Sequence, residues 1–305
     1  MGLGLRVATG LMRWGSRNRK FGRQDCYTQS FVRPVDGQLS IATSREFEDG
    51  AAFFAPFEGS FSVADLAGKD VLDLGCGHGG RTAYYALYGK PRSIVGIEIS
   101  LERTGVAKDS VGRMTEPGTV NFVVGFGEKL PFADGAFDLI ISYDVFEHVQ
   151  DLPEVLCECR RVLRPGGHLY ALFPPYYGAR THHLDFVTTL PFIHYVFSPE
   201  VLVGAANQIL TEQPQLRDAP LPAPGISYLG RMVLPRLNGT REKDFRRITA
   251  GIGFTKTDIT LVPFAWGPGG FAKRMIRGFC RSMLSIPWPF TRDIFTGTIR
   301  SVLRK

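Results

Sequence analysis

Ten residues, Val71-Leu72-Asp73-Leu74-Gly75-Cys76-Gly77-His78-Gly79-Gly80, join a short apolar run to a cluster of glycines. The run has the length of a buried strand, and the glycines allow a sharp turn with close approach of backbone to a ligand. A helix that opens directly after such a turn presents N–H groups without intrahelical partners, which suit a carboxylate or a phosphate. Twenty-three residues after Gly75, a second apolar run ends in Gly96-Ile97-Glu98-Ile99. An acid at that distance, at the end of the next strand, can accept both hydroxyls of a ribose. The two features together predict a nucleoside-binding α/β domain. Gly75, Gly77 and Gly80 also meet the dinucleotide spacing, so these residues leave the nucleoside open.

Such groups need a sheet to hold them. From Lys69 short apolar runs alternate with amphipathic ones, the pattern of a parallel sheet covered by helices. Strands are expected at Val71–Leu74, Ser93–Ile97, Val120–Val124, Phe137–Ser142 and His168–Phe173, and helices near Gly79–Leu87, Glu102–Arg113 and Pro153–Leu163. The unbroken Leu139-Ile140-Ile141 implies a sheet buried on both faces. After Phe173 the rhythm breaks into a proline- and aromatic-rich stretch, and long irregular segments of this kind usually carry function. It resumes with a helix near Glu242–Ala250, a strand near Phe254–Val262, a helix at Phe271–Leu284 and a strand at Ile294–Leu303 suited to a sheet edge. The fold class is α/β, with a doubly wound, mostly parallel seven-stranded sheet. The domain reading is a basic N-terminal extension over 1–44 and one domain over 45–305. Within that domain, 174–240 is a long insertion or lid after the fifth strand that binds the substrate.

Composition narrows the classes. The 305 residues are 44% hydrophobic and 21% charged, an ordinary globular balance. No apolar run approaches the roughly 20 residues a bilayer span needs. The net charge of +7 is uneven, with +6 in residues 1–33 and +7 in residues 271–305, which leaves the middle at −6. A nucleic-acid enzyme would line its working face with positive charge, so no nucleic-acid partner is expected. Five cysteines without a framework suit a reducing compartment, and the cytoplasm is the expected location. The first 24 residues hold six basic residues and no acid, a composition that also suits an organelle transit peptide.

The downstream motifs narrow the nucleoside. Asp73-Leu74-Gly75-Cys76-Gly77 and Glu98-Ile99-Ser100 are followed by Gly127-Glu128-Lys129-Leu130-Pro131-Phe132, Phe137-Asp138-Leu139-Ile140, Phe146-Glu147-His148-Val149 and Leu163-Arg164-Pro165-Gly166-Gly167. In this order and spacing, over about residues 45–175, the chain resembles the class I S-adenosylmethionine (SAM)-dependent methyltransferases. It is most similar to their type 11-like group, whose best-known members methylate quinone precursors and small metabolites. The resemblance implies a Rossmann-like fold and SAM as cofactor. It implies that Gly75 and Gly77, within a motif that includes Asp73 and Cys76, pass close to the methionine part. Glu98 would hold the ribose and Ile99 would pack against adenine. The family usually has an acid at the position of Phe126, so that contact with the adenine amino group is lost here; Phe126 could pack on the ring, with the Gly127 and Glu128 backbone still in reach. Ser142 and Tyr143 would face the methionine end and the acceptor. Leu163-Arg164-Pro165-Gly166-Gly167 reads as a helix stop and tight turn, and Asp138 as a strand-start residue.

The histidines and cysteines offer further chemistry. His148 follows Glu147 in a family motif and could organise the pocket or act in catalysis. His182 and His183 open the insertion after Tyr176 and Tyr177. They are candidate general bases for an oxygen or carbon acceptor, against a reading as loop histidines bonded to backbone. No metal is expected: adjacent histidines beside Asp185 point apart, and Cys157 and Cys159 lack a second pair. Tyr176, Tyr177, Phe186, Phe192, Tyr195 and Phe197 suit an apolar or ring-bearing acceptor, or simply pack a lid.

The expected function is methyl transfer from SAM to a small-molecule acceptor, through an oxygen, carbon or nitrogen nucleophile, aromatic or lipid-like. The rivals are a non-catalytic SAM-fold scaffold and an NAD-dependent oxidoreductase; Asp73 before the glycines disfavours the latter. No obligate protein partner can be inferred. In Phe271–Leu284, Phe271, Met275, Phe279 and Met283 form one apolar stripe among Lys273, Arg274, Arg277 and Arg281. Leu3, Leu5, Val7, Leu11 and Trp14 give the N-terminus a similar, weaker character. The first expectation is that the 271–284 stripe packs on the sheet, and the alternative is weak peripheral attachment to an anionic membrane.

Overall fold

The computed structural model describes residues 2–16, 39–57, 59–116, 118–179, 181–217, 219–264, 270–286 and 288–305. Arg17, Arg19, Lys20, Arg23 and Arg33 of the basic N-terminal segment lie outside the described residues, and with them most of the transit-peptide reading. The elements in chain order begin with α1 (Leu3–Ser16), α2 (Ile41–Glu48), β1 (Asp70–Leu74), α3 (Gly80–Gly89), β2 (Ser93–Glu98) and α4 (Leu101–Val111). Next come β3 (Val120–Val124), β4 (Phe137–Tyr143), α5 (Leu152–Val162), β5 (Leu163–Phe173), α6 (Ile193–Val196) and α7 (Pro199–Glu212). The chain ends with β6 (Gly225–Ile226), β7 (Met232–Val233), α8 (Glu242–Ile252), β8 (Lys256–Pro263), α9 (Phe271–Leu284), α10 (Pro289–Phe295) and β9 (Thr296–Arg304).

Seven strands form one sheet in the order β3-β2-β1-β4-β5-β9-β8. β1 lies parallel between β2 and β4, with Leu72 level with Val95 and Ile140. Val71, Leu72, Ile94, Ile140, Ile141 and Leu169 are fully covered, the burial that unbroken aliphatic runs require. Local signals set the helix ends. Ser100 Oγ accepts from Arg103 N at the start of α4, and Asp151 caps α5 through Glu154 N with Pro153 in the first turn.

The C-terminal strand departs from the sequence expectation. Its alternation suits a sheet edge, but β9 lies between β5 and β8, and β8 is the edge. Lys305 N donates to Gly167 O and Ser301 Oγ to Ala171 O, so β9 runs opposite to β5. Ile294 and Phe295, expected in this strand, belong to α10, whose first turn carries Pro289. Leu163-Arg164-Pro165-Gly166-Gly167 is part of β5 rather than a turn before it. The register slips there, since Leu163 faces Phe137 while His168 faces Leu139, and Gly166 takes φ +79° to absorb the extra residues.

The chain divides into two compact units. One comprises the described residues of Gln29–Phe173 with Arg246–Thr260 and Arg300–Lys305, and is called the sheet unit below. Its core includes a nest of rings upstream of β1, in which Phe53, Phe57 and Phe61 pack with Tyr85 and Tyr143 and Phe61 stacks on Tyr170 at 3.6 Å. The other comprises the described residues of Met1–Thr28 with Pro174–Phe245 and Leu261–Ile299. There α1 packs on α7 through Ala8, Met12, Leu202, Ala205 and Ile209, and Thr9 Oγ1 donates to Gln208 Oε1 at 3.1 Å.

α9 has the predicted span but the opposite orientation to the first expectation. Its stripe is not laid on the sheet: Phe271, Met275 and Phe279 are 72%, 60% and 56% exposed, whereas Cys280 is buried. The chain passes through α10 before reaching β9, with Phe279 edge-on to Phe295 at 5.6 Å, and α9 turns its Lys273-Arg277-Cys280-Leu284 side inward. Among the described residues no helix is long and apolar enough to cross a membrane.

Asp70 ties the start of the sheet together. Its carboxylate accepts from Arg92 Nε at 2.9 Å, Ser93 Oγ at 2.8 Å and Arg164 Nη2 at 2.8 Å. The Arg92 bond, helped by Ser93 and Arg164 against desolvation, holds the carboxyl far below the usual carboxylate range. A depressed folded-state pKa contributes stability above the unfolded value of about 3.9, and that stability is lost as the pH falls below it. Asp70→Asn should therefore melt below wild type at pH 7, with the gap closing as the pH falls from about 4 to about 1. A gap in Tm that is constant over that range would show that Asp70 acts through packing alone.

Candidate functional site

Every feature of the site described first belongs to the sheet unit and collects at the carboxyl ends of β1, β2, β3 and β4. β1 leads into a turn in which Gly75, Gly77 and Gly79 all have positive φ. Gly75 N and Cys76 N both donate to Ile97 O, which locks this turn to the end of β2. Gly80 opens α3 against α2, and a Cβ there would lie 2.0 Å from Thr43 O. No side chain fits at that position, so the glycine lets α2 seat directly on the turn.

α2 is placed by Ser40, whose Oγ accepts from Thr43 N, and by Thr43 Oγ1, which donates to His78 O at 3.1 Å. It delivers Glu46. The Glu46 carboxylate accepts from His78 N at 3.1 Å and Gly80 N at 3.0 Å, and lies 3.0 Å from His78 Nδ1. The N–H groups expected to be free at the start of α3 are thus met by a carboxylate from the chain itself. Burial works to raise the Glu46 carboxyl, but the His78 hydrogen bond and the Arg81 charge outweigh it and hold it below its ordinary value.

Glu98 is 6% exposed, and its two oxygens accept from Gly77 N and Ser100 N, each at 3.2 Å. Arg103 Nη1 lies 3.8 Å away. The carboxylate therefore bridges the loops that follow β1 and β2. Asp73 is buried beneath the turn and accepts from Thr82 Oγ1 at 2.6 Å, while desolvation pushes its carboxyl up to about 6. Cys76 points into the core with Ala107, Val111 and Phe122, so only its backbone belongs to the turn.

Ile99 and Phe126 are 59% and 57% exposed, large apolar side chains on the neighbouring ends of β2 and β3. Gly127 lies beside Val155, 3.3 Å from where its Cβ would be, and Glu128 accepts from Gln150 N at 2.9 Å. Ser142 is level with Leu74 and buried, and its Oγ has no hydrogen-bond partner among the described residues. Tyr143 packs on Phe53, and the Arg81 guanidinium lies over its ring at 5.0 Å from the centroid. Asp138 serves the sheet, accepting from Asp70 N at 2.9 Å and pairing with Arg164.

Beyond β4 the backbone is strained: Asp144 has φ +55°. Asp144 touches solvent yet has protein crowded around it, and that desolvation raises its carboxyl. Glu147 is buried, and neither of its carboxylate oxygens is hydrogen-bonded to another of the described residues. Desolvation, with the nearby Asp144 charge, pushes its carboxyl well up. His148 is largely exposed, with Nε2 3.6 Å from Glu147 Oε1.

His182 and His183 belong to the other unit. His182 is buried, with Nε2 3.0 Å from Leu190 O and Nδ1 accepting from Leu184 N at 3.0 Å. Both ring nitrogens are therefore used to hold the loop, which leaves neither to take a proton from a substrate. His183 is partly exposed and adopts φ +54°. Among the described residues neither ring nitrogen of His194 has a hydrogen bond; the ring is stacked beside Tyr177, and burial pushes its pKa down to about 3.

Sequence reasoning missed Glu46, Arg81, Asp144 and Glu147 as members of the site. The Ser40 cap before Ile41 signals the start of α2, but no local pattern marks Glu46 as the group that closes a turn at His78 and Gly80, 32 and 34 residues away. Glu147 gives a test. An acid with a raised folded-state pKa destabilises the fold as the pH rises from its unfolded value through its folded one. Glu147→Gln removes that penalty, so its Tm should exceed wild type at pH 8, with the gain vanishing near pH 4. A Tm below wild type at pH 8 would mean that the carboxylate is ionised and stabilised.

Comparison with known proteins agrees with this geometry. Residues 72–171 match the family described as Methyltransferase domain. The chain is 30% identical over 207 residues to the phthiotriol/phenolphthiotriol dimycocerosates methyltransferase of Mycobacterium leprae, covering 67% of this chain and 75% of that protein. It is 32% identical over 160 residues to a fatty-acid O-methyltransferase of Mycolicibacterium smegmatis, covering 52% of this chain and 57% of that one. In fold it is similar to a Listeria monocytogenes protein named as an S-adenosylmethionine dependent methyltransferase, with a TM-score of 0.51 and 15% identity over 84% of this chain and 98% of the other. The residues present fit SAM: a turn of glycines with positive φ, a carboxylate held at the end of β2, exposed apolar groups beside it and a buried hydroxyl without a hydrogen-bond partner among the described residues. The chain belongs to the class I SAM-dependent methyltransferases, with SAM as its cofactor.

Proposed function

We propose that the chain methylates an oxygen of a lipid-like small molecule. The observation that carries the cofactor half of this reading is the Glu98 carboxylate, held by Gly77 N and Ser100 N beside the exposed Ile99. Support for the acceptor half is the likeness to relatives named for dimycocerosates and fatty acids, one of them an O-methyltransferase. Glu98 would accept the ribose hydroxyls, and Ile99 and Phe126 would flank the adenine, with Gly127 backbone beside it. Gly75 and Gly77, with Asp73 beneath and the Cys76 backbone between them, would lie along the methionine part. Ser142 and Tyr143 would border the methyl group and the acceptor.

SAM supplies a methyl group on a sulfonium, which an aligned nucleophile displaces in line. The chain's own work is to align, to exclude water and to move a proton. The carboxylates of Glu46, Asp73 and Glu98 give the site a negative setting that suits a cationic cofactor. Residues 174–240, within the domain over 45–305, would select the acceptor through their aromatic side chains, with 1–44 as an extension. His183 would take the acceptor proton and His148 would order the pocket, whereas His182 would hold the loop. A lipid-like acceptor would also bring the protein weakly and peripherally to a membrane surface.

Two measurements test the reading. Glu98→Ala should weaken SAM binding by about 1–3 kcal/mol in calorimetry, because the ribose loses a charge-assisted partner. An affinity within error of wild type would remove Glu98 from the site. His183→Ala should keep SAM affinity and lose roughly 10²–10⁴-fold in turnover, the usual contribution of a general base. His182→Ala should instead lower Tm. Turnover of His183→Ala within about threefold of wild type would eliminate it as the base.

A further inference from the structure

Two helices of the same unit carry apolar side chains where water would be expected. On α9, Phe271, Met275 and Phe279 recur every four residues and are 72%, 60% and 56% exposed. On α1, Leu3, Val7, Leu11 and Trp14 follow a comparable spacing and are 79%, 45%, 41% and 64% exposed. Single exposed apolar residues are normal on any protein, but a whole helix face turned outward is not. Each helix also has an opposite face that packs. On α1, Ala8, Thr9 and Met12 are buried, and on α9, Cys280. Both helices are thus docked, and their outward faces stay exposed although Phe279 also meets Phe295 edge-on.

The charges on the two helices follow one pattern. Neither contains an acid. α1 carries Arg6 and Arg13, and α9 carries Arg274 and Arg281, in each case a pair seven residues apart and exposed. Seven residues are close to two turns, so each pair lies along one side of its helix. With the apolar residues recurring every three or four positions, the arginines fall beside the apolar face rather than within it. Arg13 also pairs with Glu212 of α7, and α9 adds Lys273 and Arg277 on its inner side.

An apolar face edged by guanidinium groups on a helix without acids complements an anionic lipid surface. Phe, Leu and Trp enter the boundary between headgroups and acyl chains, and the arginines meet the phosphates. A protein partner with an apolar groove would accept the apolar face but gives no reason for basic edges without a single acid on two separate helices. We propose that α9 and α1 are docking helices that hold the protein at the surface of an anionic bilayer. The attachment is reversible and does not span the membrane. It stands on these two helices and not on the methyl-transfer reading.

Vesicle flotation tests it with the full chain at low ionic strength and no SAM. The protein should float with phosphatidylcholine vesicles containing phosphatidylglycerol, float at least about tenfold less with phosphatidylcholine alone, and be released as salt is raised. Phe271→Asp with Met275→Asp should lose anionic binding by about tenfold or more, and Arg274→Ser with Arg281→Ser should lose most of the preference for anionic vesicles. Both positions are exposed, so each variant should keep the wild-type Tm, which checks folding. Flotation of wild type with neither vesicle would overturn the proposal. So would wild-type flotation by the double aspartate variant, since charge alone would then be at work. A wild-type dimer in light scattering that the aspartate variant converts to monomer would also overturn it, in favour of a second copy as the occupant.

Discussion

A chain that leaves a buried strand through Gly75, Gly77 and Gly79 and enters a helix at Gly80 has more N–H groups than it can satisfy locally. Left unmet in the interior, such donors each cost about 1–3 kcal/mol. The Glu46 carboxylate takes those of His78 and Gly80, and the Glu98 carboxylate takes that of Gly77. The rest of the sheet unit follows from this closure. Glycine at position 80 is required because α2 must come close enough to deliver Glu46. Arg81 is required because Glu46 and Asp73 would otherwise concentrate like charge in a small desolvated volume. The Glu98 carboxylate that steadies the turn is also the group proposed to take the ribose hydroxyls.

The two units divide the chemistry. The sheet unit concentrates backbone turns, held carboxylates and a few exposed apolar side chains at the carboxyl ends of parallel strands, where an open α/β sheet binds its ligand. The other unit is rich in aromatics, many of them spent on its own packing: Tyr176 is buried, and Tyr177, Phe186 and Phe197 lie against the same core. Arg241 sits over Tyr177 and pairs with Asp293, which anchors α10 within this unit. Aromatic composition alone therefore overstates the surface available to a ring-bearing acceptor.

Amphipathic pattern and burial are separate facts in this protein. A 3.6-residue period states that a helix has two unlike faces, not which of them meets the protein. In α3 the apolar face is buried, with Tyr85 and Ala86 in the core. In α9 an equally clear period faces outward, because α10 intervenes before β9 and the helix docks through Cys280 and its neighbours.

Residues 70–173 were legible from their order alone. Strand runs of Val, Ile and Leu, glycine turns and caps such as Ser100 and Asp151 act over a few residues, so the parallel strands appear where the pattern puts them, except that β5 begins at Leu163 and not at His168. The Gly75 turn and Glu98 were legible for the same reason, as each lies at the end of its own strand. Tertiary structure decided what depends on groups far apart in the chain. Glu46 reaches the turn only because α2 packs on Gly80, and β9 sits inside the sheet because Lys305 N and Ser301 Oγ donate to Gly167 O and Ala171 O. His182 is a loop fastener rather than a free base because Leu184 and Leu190 take both of its nitrogens. Local preference writes itself into neighbouring residues, whereas pairing across the fold is set by which surfaces remain to be covered once those local elements exist.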